Sequence, residues 1–271
     1  MADEPLLVRQ DDDGVLAITL NRPEAANALT PDQRDEIIDL LAGASEQVEV
    51  RAVVLGATGR HFCTGADLRT SRPGPTRPDD APARVVGDVA RLLERGAQRL
   101  VGAVLDCEKP VLAAVNGTAA GLGAHLALAC DLVIAAKSAK FIQSFSALGL
   151  IPDSGGSWHL PRLVGQARAL GMALTGEPLP AERAAEWGLI WKAVEDDQLD
   201  AEVDALAVKL ASLPPLGLAA IKQIIRTSWA RSLDDELDLQ RDEMRRLGFT
   251  LDYREGVAAF LEKRPAKFLG R

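Results

Sequence analysis

The chain has 271 residues, 47% hydrophobic and 26% charged, long enough for one large domain or two and able to bury about 75% of its extended-chain surface without staples. Its 31 Lys and Arg against 39 Asp and Glu give a net charge of −8, which argues against a broad nucleic-acid surface but leaves room for a small basic pocket that takes a phosphorylated ligand. Cys63, Cys107 and Cys130 show no CxxC spacing and His61, His125 and His159 are scattered, so no metal cluster is expected and a reducing cytoplasm is the simplest setting.

The first fourteen residues are acidic and lack an apolar core, unlike a secretory signal or an Arg-rich transit peptide, and predict a cytoplasmic protein. Leu16, Ile18 and Leu20 alternate within Gly14 to Leu20 and predict a strand. Helical spacing follows over Pro31 to Leu41, with Pro31 at a favoured first-turn position. A short apolar strand at Arg51 to Leu55 precedes the loop FCTGADL, Phe62 to Leu68. Residues 71–82 carry four prolines and no periodicity, the composition of a mobile lid.

Further strands are expected at Val111 to Val115, Leu132 to Ala135 and Ile190 to Val194, alternating with helix-like stretches, the pattern of an α/β core with covered sheets. Val111 to Ala136 could span a bilayer by length, but Asn116, Thr118, His125 and Asp131 interrupt it, so no membrane segment is expected. From Pro180 onward the pattern is nearly all helix: Ala181 to Trp187, Leu199 to Leu210, Leu216 to Ser228, Leu233 to Leu247 and Tyr253 to Glu262. A division into residues 1–195 and a helical region 196–271 follows.

Two segments carry the chemistry. Val111 to Val115 breaks at Asn116-Gly117 and leads through Gly121-Leu122-Gly123-Ala124 into an apolar helix, whose first N–H groups have no intrahelical partner and can hold a negative oxygen. Either that is its use, or the glycines serve only a tight turn and close helix packing. A donor from FCTGADL facing one from Leu122 would form an oxyanion hole for a thioester enolate, unless Gly-Ala-Asp is simply a turn.

With NRPEAANAL (Asn21 to Leu29) upstream and GLIPDSGG (Gly149 to Gly156) downstream, these segments together resemble the crotonase superfamily, the enoyl-CoA hydratases and isomerases, from about Val8 to the C-terminus. The resemblance implies a spiral of ββα units followed by a helical trimerisation region, an acyl-CoA thioester as substrate, CoA as part of that substrate with no separate cofactor, and a homotrimer or dimer of trimers. Periodicity alone does not separate that spiral from a three-layer α/β sheet. An α/β dinucleotide enzyme is disfavoured because no GxGxxG follows the first strand.

By resemblance the oxyanion donors are the amides of Ala66 and Leu122, each typically worth about 3–4 kcal/mol to a developing oxyanion. Hydratases of this family hold the attacking water with two glutamates, and the matching positions here are His125 and Phe145. Without either acid the water clamp is gone, so efficient hydration is not expected. Asp153 remains. It is either an N-cap for the helix after Ser154-Gly155-Gly156 or a general base, and isomerisation needs only one shuttling carboxylate. The stretch from Ser138 to Val194 is similar to the family's ring-epoxide isomerases, which likewise keep an Asp and lack both glutamates, although His125 departs from the small uncharged residue expected there. A lone helix histidine is more often packed than catalytic, and His125 is notable for its proximity to Leu122.

CoA contacts implied by the resemblance are Arg22 near the phosphates, Ala26, Asp67 and Leu68 around pantetheine and adenine, and Phe260 with Lys263 from the last helix. Asp67 could equally hold its own loop, and Lys263 could be a solvated charge at a helix end. Competing readings are a residual hydratase, another reaction using the same oxyanion hole such as thioester hydrolysis or dehalogenation, and a catalytically idle CoA-binding homologue.

Overall fold

The computed structural model describes residues 4–70 and 89–271; the expected lid at 71–82 lies outside them. Ten strands are present among the described residues: β1 Leu6–Gln10, β2 Val15–Leu20, β3 Ala52–Ala57, β4 His61–Cys63, β5 Val111–Val115, β6 Thr118–Ala120, β7 Leu132–Ala136, β8 Lys140–Ile142, β9 Leu179–Pro180 and β10 Lys192–Val194. They form a six-stranded sheet in the order β1-β2-β3-β5-β7-β10 and a four-stranded sheet in the order β4-β6-β8-β9. Only β1–β2 and β8–β9 are antiparallel pairs.

The consecutive pairs β3/β4, β5/β6 and β7/β8 each place one strand in the large sheet and the next in the small one, with helices between. This repeat is the ββα spiral. Alternation within the large-sheet strands sorts side chains to two cores. Val53, Leu55, Val111, Ala113, Val133 and Ala135 join the main core with the helices Pro31–Glu46 and Gln98–Asp106. Ala52, Val54, Leu112, Ala114, Ile134 and Ala136 meet Leu199, Val203, Ala207 and Ala211 of the helix Leu199–Ala211 on the opposite face. A parallel sheet covered on both faces needs such continuous apolar runs.

The helix expected over Pro31 to Leu41 runs on to Glu46, opened by a capping box in which Thr30 and Gln33 satisfy each other's backbone N–H groups. Strand β10 is shorter than expected because Leu189 and Ile190 turn into the main core before Lys192 pairs with β7. The later helices run Ala181–Glu186, Leu199–Ala211, Pro215–Thr227, Leu233–Gly248 and Leu251–Glu262. Helix Pro215–Thr227 is fastened by cations placed on the carbonyl ends of two core helices, where the helix dipole favours positive charge. Lys222 donates to the carbonyls of Cys107 and Lys109, Arg226 to those of Leu105 and Ala129, and both pair with Asp131 at 2.8 Å. No single helix among the described residues is long and apolar enough to cross a membrane.

Candidate active site

Strands β4, β6 and β8 are parallel neighbours, so the loops at their carboxyl ends emerge side by side. The β4 loop carries Thr64 to Leu68, β6 leads through Gly121 into the helix Leu122–Ala129, and β8 leads into Gln143 to Phe145.

The β4 loop pairs with the Asn21–Leu29 segment through a parallel bridge between Leu29 and Ala66. Leu29 donates to the Gly65 carbonyl at 2.8 Å and accepts from the Asp67 amide at 2.9 Å. Bonding on either side of Ala66 turns the Ala66 amide toward the other edge, away from Leu29. That N–H donates to no described residue, and neither does the N–H of Leu122, the first residue of its helix. Two free donors therefore come from adjacent loops. A Cβ built on Gly65 would lie 3.7 Å from the Leu122 nitrogen and 3.4 Å from the Ala120 oxygen, which shows how closely the loops abut. Gly65 at φ +109° and Gly121 at φ +52° occupy backbone conformations that L side chains rarely adopt. Helix Leu122–Ala129 also sits against β4, since a Cβ on Gly123 would fall 2.1 Å from the Cys63 oxygen.

Behind the first turn of that helix lies His125, 1% exposed, its ring stacked on Phe145 with centroids 5.2 Å apart and planes at 8°. The two positions where the sequence comparison with hydratases sought glutamates thus hold one buried aromatic stack. Nε2 of His125 is hydrogen-bonded to the side-chain amide of Gln143 at 2.8 Å, the donor being set by the ring tautomer and the amide orientation. Gln143 is fully buried and sequence reasoning missed it; a polar residue one step past a three-residue strand carries no pattern that marks it.

Asp153 follows in the loop before helix Gly156–Val164, with its side chain 26% exposed and its Oδ1 3.8 Å from His125 Nδ1. It does not cap that helix through its side chain: Gly155 is the N-cap residue, and only the Asp153 backbone carbonyl accepts, from the Gly156 amide. The N-cap alternative is therefore set aside. His159, one turn into the helix, is neutral through the physiological range because burial, aided by Arg226, pushes its pKa down to about 4.

The remaining residues singled out by sequence fall into two groups. Arg22 donates to the Ala28 carbonyl and pairs with Asp67 at 3.1 Å, while Asp67 also receives Arg69 at 3.0 Å. The Arg69 bonds, with help from Arg22, hold the buried Asp67 carboxyl down to about 2. Asp67 ties its loop to the Asn21–Leu29 segment, and Ala26 joins the same tie by accepting from both the amide and the hydroxyl of Thr64. Leu68 is exposed beside them. Phe260 is 83% exposed, Lys263 caps its helix at φ +54°, and neither forms a hydrogen bond or ion pair with the two loops.

A family model described as enoyl-CoA hydratase/isomerase matches residues 10–271. The chain belongs to that family. It is 46% identical over 258 residues to the 1,2-epoxyphenylacetyl-CoA isomerase of Escherichia coli K12, covering 95% of this chain and 96% of the relative. It is also 46% identical, over 259 residues, to a Rhodobacter capsulatus protein named "Probable enoyl-CoA hydratase", covering 96% of each. Among solved structures, an enoyl-CoA hydratase from Bacillus anthracis superposes with a TM-score of 0.89 at 31% identity, over 99% of this chain and 100% of that one. The chain is thus a crotonase-fold enzyme, and an acyl-CoA substrate is consistent with its family. Equal identity to an isomerase and to a hydratase leaves the choice of reaction to the side chains in the site.

Proposed function

We propose that this member of the enoyl-CoA hydratase/isomerase family is an acyl-CoA isomerase, shifting a double bond or opening a ring epoxide through an oxyanion-stabilised thioester enolate. The observation that carries this is the stacked His125–Phe145 pair in the two hydratase carboxylate positions, beside one remaining carboxylate, Asp153. Water addition needs a clamp that positions and deprotonates water while a second proton reaches carbon. A flat, water-excluding aromatic stack offers none.

In this reading the N–H groups of Ala66 and Leu122 receive the thioester oxygen and stabilise the negative charge that enolisation places on it. Asp153 takes the proton so acidified and returns it further along the acyl chain, or to the alkoxide oxygen released when the epoxide C–O bond breaks and the enolate electrons form the new C=C bond. CoA enters as part of the substrate, with no separate cofactor. Arg22 and Asp67 shape its loop by binding each other, Ala26 and Leu68 lie along its path, and Phe260 with Lys263 offer contacts from the exposed last helix. The assembly we propose is a trimer or a pair of trimers.

The deciding experiment is Asp153→Asn, which removes the base without changing volume. Migration of the double bond in a 3-enoyl-CoA is expected to fall at least about a thousandfold, with calorimetric CoA affinity unchanged and crotonyl-CoA hydration negligible in both proteins. Turnover unchanged by the substitution, or rapid hydration by the unmodified enzyme, overturns the reading.

A further inference from the structure

The mechanism above uses Asp153 and leaves His125 unused, yet the buried His125 ring faces that carboxylate. Its Nδ1 is fully buried, has no hydrogen-bond partner, and lies 3.8 Å from Asp153 Oδ1. Its other nitrogen is engaged by Gln143, whose amide nitrogen is also buried without a partner. An unpaired ring nitrogen in a dry site is costly, and buried polar groups are retained where a partner completes them. Gly156 provides the space: a Cβ there would fall 2.1 Å from His125 Cε1, so the ring is seated against the very turn that carries Asp153.

Asp153 is itself asymmetric. Oδ1 accepts the Ser154 hydroxyl at 2.9 Å and faces His125, whereas Oδ2 accepts from no described residue. Ser154 is buried and held at φ +46°, a left-handed conformation unfavourable for a non-glycine residue that persists only where its surroundings enforce it.

We propose that His125 is a positioning residue for the shuttle: Nδ1–H, 3.8 Å from Oδ1 of Asp153 and outside hydrogen-bond reach in the free protein, closes on it in the substrate complex, Gln143 fixes the ring from its far side, and Ser154 holds the same Oδ1, so that Oδ2 alone is presented to the substrate carbon. The inference rests on the isomerase reading. Nδ1 carries its proton when the Gln143 amide is turned so that its NH2 donates to Nε2. That tautomer gives one donor aimed at Oδ1. A carboxylate pinned through one oxygen keeps the abstracted proton on the other, above the allylic face, instead of losing it to water.

The test separates the two ring nitrogens. His125→Phe keeps the stack and removes both; His125→Gln places an amide near the Nε2 position, and His125→Asn places one near Nδ1. With a 3-enoyl-CoA deuterated at C2, in ordinary water, the readouts are kcat, KM and the fraction of label delivered to C4. His125→Phe and His125→Gln are expected to lower kcat about ten- to a hundredfold at unchanged KM, the scale of a misplaced catalytic group, and to lower the delivered fraction. His125→Asn is expected to recover about tenfold of the lost kcat and most of the label transfer. A purely structural role for the ring would not move label partition in the folded protein. Should His125→Phe fail to fold, the order of Asn above Gln still decides. Wild-type kcat and transfer in His125→Phe, or Asn no better than Gln, overturn the inference. If Asp153→Asn itself remains active, the isomerase reading fails instead.

Discussion

Helices Leu122–Ala129 and Leu233–Gly248 are built on opposite principles. All eight residues of the first are buried and none of the sixteen in the second is. The first has no side-chain cap; packing on β4 and β6 holds it, and its free leading amide faces a neighbouring loop. The second holds itself, with Ser232 as N-cap, three acidic residues in its first turn and pairs such as Arg246–Glu243 along its flank. Its apolar residues Leu233, Leu237 and Met244 remain uncovered within one chain. A site helix sacrifices local stabilisation for exact placement, while an outer helix folds locally and leaves its stripe for something else.

The comparison can be broken most severely at glycine. Gly123→Val inserts side-chain atoms where even a Cβ meets the Cys63 carbonyl, and is expected to cost more than about 3 kcal/mol by urea denaturation or to prevent folding. Gly248 has nothing within 4 Å, and Gly248→Ala is expected to stabilise by up to about 1 kcal/mol.

Next comes the oxyanion pair. Ala66→Pro deletes one donor and is expected to reduce α-proton exchange of a saturated acyl-CoA in deuterated water by about a hundredfold or more, whereas Ala66→Val keeps the amide and retains exchange. Equal exchange in wild type and a folded Ala66→Pro removes Ala66 from the site.

The outer helix is tested by Leu237→Asp with Met244→Asp. Sedimentation is expected to give three or six chains for the wild type and single chains for the double variant, with far-UV helicity preserved. A wild-type monomer at micromolar concentration contradicts the assembly proposed here.

The smallest effect concerns charge. Both Asp67 near the site and Glu255 on the last helix are held to about 2, by Arg69 with Arg22 and by Arg264 with the Lys267 amide respectively. A depressed carboxyl contributes stability that is complete above its unfolded pKa, near 4, and is lost as pH falls through its folded value. Asp67→Asn and Glu255→Gln should each differ from wild type by a constant amount above pH ~5, with the difference shrinking between pH ~4 and ~2. Molar salt should shrink both differences, that of Asp67 less, because its carboxylate is buried even though its Arg69 partner is exposed. Identical salt responses would place Asp67 at the surface.

What the sequence could reveal tracks element length. Strands β2, β3, β5 and β7 and the helices after Pro180 show their period over five residues or more, and the structure places them within a few residues of the expected bounds. Strands β4, β6 and β8 have three residues each and cannot show a period, so the small sheet that aligns the site loops stayed hidden. β1 was masked by its polar exposed edge. Glycine spacing and motif order marked the two loops and the turn, because tight turns leave local marks, and the resemblance to the family then assigned roles to Ala66, Leu122 and Asp153. Tertiary structure alone decided that Arg22 and Asp67 bind each other across 45 positions, that Gln143 meets His125, and that His125 stacks on Phe145. Those contacts join residues whose local sequence is unremarkable, and they exist only because parallel pairing of three short strands sets their loops side by side.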